Sequence, residues 1–158
     1  MSATQFKLSS RDIENNLPIN KEFTMYGENR TPNMSWSVPP ADTAELLLIC
    51  YDPDAKPIAN KVWVHWIVSG ISPSKQNLEN GTYDVLKNDF SNKKYEGKAY
   101  NGPRPPPNTG VHNYHFKIFA LKTKLNLDVD AKYSYDDIMT AVEGHVLAES
   151  EIVGTYVQ

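Results

Sequence analysis

Three short stretches of this chain combine residue types that can do chemistry. Asp52-Pro53-Asp54-Ala55 places two carboxylates around a proline, straight after the apolar run Leu46-Leu47-Leu48-Ile49-Cys50. Aspartates in such turns accept hydrogen bonds from nearby backbone amides, so an ordinary turn is one reading. Trp63-Val64-His65-Trp66 sets an imidazole in an aromatic run, where histidine is more often a core residue than a ligand. From Tyr100 to Tyr114 the chain reads Tyr-Asn-Gly-Pro-Arg-Pro-Pro-Pro-Asn-Thr-Gly-Val-His-Asn-Tyr. Its prolines stiffen the backbone and its glycines allow close approach to a ligand; a polyproline segment offered to a partner is the alternative. Carboxylate and imidazole together can bind an anion, move protons as general acid and base, or ligate a metal.

The elements around these stretches are mainly β. Eleven prolines and nine tyrosines suit a β-rich chain. Breakers at Pro18, Gly27, Pro32, Pro39 and Pro40 limit residues 1–45 to short or extended segments. Leu46 to Tyr51 reads as a buried central strand, and Lys61 to Val68, rich in valine and tryptophan, as another. Alternation along the latter puts Trp63, His65 and Ile67 on one face, with Val62, Val64, Trp66 and Val68 on the other. Residues 71–110 read mostly as loop, with a turn at Asn80-Gly81. Val111 to Leu121 is the clearest strand, with His112, Tyr114, Phe116, Ile118 and Ala120 on one face and His115 on the other. Near the end, Ser134 can cap a helix from Tyr135 to about Glu143, with Asp136 and Asp137 at its positive end. Ile138, Ala141 and Val142 form its apolar stripe, and Gly144 stops it. Glu149 to Val157 follows as strand or helix.

At 158 residues the chain is the size of one domain, 1–158, with no repeat or internal boundary. One cysteine, Cys50, excludes an internal disulfide and reads as a small buried hydrophobe. The first residues lack the apolar core of a signal peptide, and no run approaches a membrane span, so a cytoplasmic location is expected. Net charge is −3, with no basic stripe of the kind nucleic acid requires.

In order along the chain, the Asp-Pro-Asp-Ala turn, the His65-Trp66 strand and the Gly102-Pro103-x-Pro105-Pro106 loop leading to His112 resemble the phosphatidylethanolamine-binding protein family. The match is closer to its prokaryotic branch of Raf-kinase-inhibitor-like proteins. Met34-Ser35-Trp36-Ser37-Val38-Pro39, Glu143-Gly144-His145-Val146-Leu147-Ala148 and Gly154-Thr155-Tyr156 extend the resemblance from about residue 31 to 157. It implies two antiparallel sheets, a short helical segment near the C-terminus, and a pocket for phosphate-like or carboxylate anions built from Asp52, Trp63, His65, Gly102, Pro105, His112 and Tyr114. It also implies modulation of a kinase or inhibition of a serine protease, and a possible homodimer. Two imidazoles can donate hydrogen bonds to an oxyanion, while Asp52 holds a neighbouring imidazole in one tautomer. Binding is expected to strengthen below about pH 6.5, where free histidine protonates.

Two positions depart from the family pattern. Asn113 stands where an arginine usually follows the second histidine, so Asp54 needs another partner, with Arg104 and Lys56 as candidates. Lys56 also separates the Asp-Pro-Asp-Ala turn from Pro57, making the rim more basic. His145 falls at a helix end, where a capping role is expected. No Gly-x-Ser-x-Gly elbow is present, and Ser69 and Thr109 lack a nucleophile context, so an enzyme is not expected. The histidine and aspartate spacings match no metal motif, and neither metal nor cofactor is expected.

Overall fold

The computed structural model describes residues 5–79, 81, 83–90 and 99–158. Asn80, half of the expected Asn-Gly turn, lies outside them. Eight strands are assigned among these residues: β1 (Leu8–Ser9), β2 (Leu17–Pro18), β3 (Ser35–Trp36), β4 (Glu45–Asp52), β5 (Trp63–Ile71), β6 (Asp84–Val85), β7 (His112–Leu121) and β8 (Val146–Tyr156). β1 and β3 form a small antiparallel sheet; the other six form a sheet in the order β2-β8-β7-β4-β5-β6. All its neighbours pair antiparallel except β2 with β8, which run parallel. The expected mainly β fold with two sheets is therefore present, the sheets being very unequal.

β4 is buried along its whole length because both sheet faces are covered. Leu46, Leu48 and Cys50 pack with Trp36, Trp66, Phe116 and Ile118 on one side. Leu47, Ile49 and Tyr51 pack with Val64, Ile67, Phe119 and the helix residues Ile138 and Val142 on the other. That is why its sequence is a continuous apolar run rather than an alternation. Truncating one of these leucines to alanine costs roughly 2–5 kcal/mol. The helix, α2 (Tyr135–Val142), is capped as expected: the Ser134 hydroxyl accepts from the Asp137 amide, and the Asp137 carboxylate accepts from the Ser134 amide. Gly144, at φ +79°, turns the chain into β8, and the His145 amide donates to the Val142 carbonyl. Glu149 to Val157, undecided from periodicity, belongs to an eleven-residue strand.

Simple alternation fails in β5. Cys50 pairs with Trp66, yet Tyr51 pairs with Val64, leaving His65 as an extra residue in a β-bulge. Val64 consequently joins Ile67 in the helix-side core, while Trp66 and Val68 join the opposite one. The bulge brings His65 to the Trp66 side of the sheet, where its ring meets Tyr114. After β4 the chain turns through a 3-10 segment (Pro53–Ala55) into the short helix α1 (Lys56–Ala59), which ends on Asn60 at φ +61°. Among the described residues no helix is long and apolar enough to cross a membrane.

Candidate functional site

The ends of β4, β5 and β7 converge on one cavity of about 160 Å³. Six of the seven expected site residues line it: Asp52, Trp63, His65, Pro105, His112 and Tyr114. Asp52 ends β4 on the face of Leu46, Leu48 and Cys50, and His112 begins β7 on the face of Tyr114 and Phe116, so strand parity aims both the same way. Tyr114 packs edge-on to His65 with ring centres 5.2 Å apart and lies nearly parallel to His112 at 6.3 Å. Phe90 closes the wall against Trp63 and His65.

Gly102 does not reach the wall. Its amide donates to the Asn29 side chain at 2.7 Å, and a Cβ there would collide with the Phe23 carbonyl. The glycine is needed for close approach to protein backbone rather than to a ligand. The rest of the proline loop is tied to the same early segment: Tyr26 donates to the Pro105 carbonyl at 2.6 Å, the Met25 amide to the Pro103 carbonyl at 2.9 Å.

A chain of hydrogen bonds runs through His112, which is only 1% exposed. Its Nδ1 lies 2.6 Å from Asp52 Oδ2, and its Nε2 lies 3.0 Å from the Thr109 hydroxyl. That hydroxyl spends its hydrogen on the Pro106 carbonyl at 2.7 Å, so its oxygen accepts from His112 Nε2–H. A single proton then bridges Nδ1 and Asp52. Asp52 Oδ1 accepts from the Asp54 amide at 2.8 Å. Burial pushes the Asp52 carboxyl above its ordinary pKa, opposed by the bonds from His112 and the Asp54 amide.

His65 is also buried, with Nδ1 2.7 Å from the Asn101 carbonyl. Burial lowers its pKa to about 4, against the opposing pull of the Asn101 and Gly102 carbonyls and Asp89. His65 therefore stays neutral near pH 6.5, so its protonation is not the source of any gain in binding there. The expected partner of Asp54 is corrected. Asn113 itself holds the carboxylate, donating from its backbone amide at 2.7 Å and its side-chain amide at 3.0 Å to Oδ2. Arg104 lines the cavity instead.

Sequence reasoning missed Ala55, Ile58, Ala59, Phe90 and Pro106 as lining residues and Thr109 as the partner of His112. Phe90 sits in a stretch without periodicity, so no signal marked it. Thr109 had one: a hydroxyl three residues before a site histidine. His115 is on the opposite face as expected, stacked on Tyr51 with ring centres 5.0 Å apart and bonded to Glu151 at 2.9 Å. Among the described residues no three histidine, cysteine, aspartate or glutamate side chains gather as a metal site would require.

A family model described as phosphatidylethanolamine-binding protein matches residues 9–157, nearly the whole chain. The chain belongs to the phosphatidylethanolamine-binding protein family. An archaeal relative, a UPF0098 protein of Methanothermobacter thermautotrophicus, is 40% identical over 142 residues, covering 87% of this chain and 89% of its own. The Mycobacterium tuberculosis relative that carries the name Putative lipoprotein LppC is 32% identical over 157 residues, covering 98% of this chain and 74% of its own. Among solved structures, Escherichia coli YbcL superposes with a TM-score of 0.82 at 26% identity, covering 98% of this chain and 99% of that one. The Chlamydia trachomatis homologue CT736 gives 0.80 at 27%, covering 99% of each. These similarities place the chain with the prokaryotic members of the family, as its motifs implied.

Proposed function

We propose that this family member is a small-anion binding protein whose cavity accepts a phosphate, phosphoryl or carboxylate group. The observation that carries the reading is the cavity itself, where the Asp52–His112–Thr109 chain fixes a buried imidazole in a mostly apolar wall that Arg104 also lines. A charged donor such as the Arg104 guanidinium bonds an oxyanion more strongly than a neutral one does. Trp63 adds to it: its indole Nε1 is buried and has no acceptor among the described residues, a condition that a bound oxygen would relieve. About 160 Å³ comfortably exceeds the roughly 10–15 Å³ that one water needs, so a small oxyanion with a short substituent fits.

The same groups do not assemble an enzyme in this reading. The single thiol, Cys50, is fully buried, and burial, with Asp52 adding to it, raises its pKa, the opposite of an activated nucleophile. Thr109 commits its hydrogen to a carbonyl. A buried, reduced thiol also suits a cytoplasmic setting. A protein partner, kinase or serine protease, would be engaged through an acidic or phosphorylated group entering the cavity.

Calorimetric titration of inorganic phosphate and phosphorylethanolamine into the wild type, His65→Ala and His112→Ala at about pH 6 tests the proposal. The wild type should bind, and each variant should bind at least about tenfold more weakly. Equal affinity in all three proteins would overturn it.

A further inference from the structure

β8 lies at the rim of the large sheet, flanked on its outer side only by the short strand β2. Its inner edge pairs with β7 along the whole strand, whereas β2 meets only Gly154 and Thr155. The Val153 carbonyl accepts from the Asn16 amide at 2.6 Å, and the Thr155 carbonyl from the Ile19 amide at 2.7 Å. The Val153 amide donates outward too, to the Asn15 side chain at 2.8 Å. These bonds fix the parity of the strand. With a period of two, the amides and carbonyls of Glu149 and Glu151 also point away from β7, and among the described residues they have no hydrogen-bond partner. Glu149 pairs with Phe119, seven residues along β7 from His112, so this edge stands apart from the cavity.

An unpaired edge is a template for another strand. Here the side chains decide which strand it suits. Ile152 faces the core that holds Phe116, so Glu149 and Glu151 stand together on the opposite face of the sheet. Lys117 lies 3.3 Å from Glu149, while His115 and the Tyr51 hydroxyl, each at 2.9 Å, bond Glu151. One lysine against two carboxylates leaves the edge negative, and both carboxylates keep exposed surface, 50% for Glu149 and 31% for Glu151. A groove of about 230 Å³ lies at this edge, lined by Lys117, Glu149, Ser150 and Glu151. A second copy of the chain, paired antiparallel about Glu149 or Ser150, would set Glu149 across from its own Glu149 or Glu151. Like charges directly opposite destabilise such a pair. Basic side chains at alternate positions of an added strand would meet both carboxylates instead. We propose that the Glu149–Glu151 edge of β8 docks an extended segment of a partner protein, which adds a strand to the sheet and carries lysine or arginine at two alternate positions. Backbone bonds to Glu149 and Glu151 supply the affinity, and the alternate charges supply the selection.

The test is fluorescence anisotropy on the full chain at neutral pH and low salt. The probe is a labelled peptide of about seven residues, threonine throughout except for lysine at two alternate positions. It should bind saturably, and its counterpart with glutamate for lysine should bind at least about tenfold more weakly. N-methylation of the two lysine amides, which face the edge, should also weaken binding about tenfold or more. Glu149→Pro removes an outward amide and a carboxylate while sparing the ladder to β7, and should cause a loss of the same size. If that variant fails to fold, the double variant Glu149→Lys, Glu151→Lys should reverse the preference between the two peptides. No binding of the lysine peptide, equal binding of both peptides, or indifference to N-methylation would overturn the proposal. Self-association in sedimentation velocity that either variant abolishes would overturn it too, by making a second copy the occupant.

Discussion

β7 carries two histidine–carboxylate pairs three residues apart, and they differ in almost everything except the bond. His112 meets Asp52 through Nδ1 at 2.6 Å, with side chains 2% and 4% exposed. His115 meets Glu151 through Nδ1 at 2.9 Å, with side chains 23% and 31% exposed. Strand parity puts the first toward the cavity and the second against Tyr51 and α2's side of the sheet. The titration of the two acids then moves in opposite directions. Burial raises the Asp52 carboxyl beyond what its hydrogen bonds can offset. Glu151 is also raised by burial, but the His115 and Tyr51 bonds outweigh that and hold it below the ordinary carboxylate value. The same chemical pair is thus a dry polar device on one face of the strand and a solvent-damped contact on the other.

Breaking the buried pair should give the largest effect. Asp52→Ala leaves His112 Nδ1 buried without its partner, and urea denaturation at neutral pH should show a loss of about 3–5 kcal/mol. A loss below about 1 kcal/mol would mean that the pair is not dry. His65 sharpens the contrast, being buried with a carbonyl instead of a carboxylate. Its folded pKa lies below the unfolded value, so the unfolded chain takes up the proton first. Its contribution is fully present above about pH 6.5 and fades as pH falls toward about 4, removing about 3 kcal/mol. Stability measured across that window should fall more steeply in the wild type than in His65→Gln; parallel slopes would refute the assignment.

Asn113 lies between the two pairs and tethers Asp54 from the strand. Asn113→Ala keeps the backbone amide bond and loses only the side-chain one, so denaturation should register about 1 kcal/mol. The exposed pair should matter least. Glu151→Gln should cost less than about 1 kcal/mol at pH 7. Because the folded pKa of Glu151 is depressed, its contribution exists above the unfolded carboxylate value and disappears as pH falls through the folded one. The variant and the wild type should therefore converge as pH falls below the ordinary carboxylate range. A cost from Glu151→Gln equal to that from Asp52→Ala would erase the distinction between the two faces.

Much of this arrangement is legible in residue order. The run Leu46–Cys50 announces a strand covered on both faces, and the alternation from His112 to Ala120 announces one face of β7. Ser134 with Asp137 three residues on announces the start of α2. These are local patterns, set by backbone period and by groups within one turn of each other. The motif order likewise carried the family, and with it seven expected site residues, six of which line the cavity.

What the sequence could not determine depends on backbone groups far away in the chain. The bulge at His65 exists because β4 and β5 must pair across a two-against-one mismatch, and it moved Val64 and Trp66 to opposite cores. The tautomer of His65 is set by a carbonyl 36 positions on, and the tether of Asp54 by an amide 59 positions on. Gly102 is required by the Phe23 carbonyl, not by a ligand. Residue types alone placed acids, imidazoles and aromatics near one site. Only tertiary structure decided which nitrogens hold protons, because a carbonyl has no signature in the sequence and accepts a hydrogen bond wherever the fold delivers one.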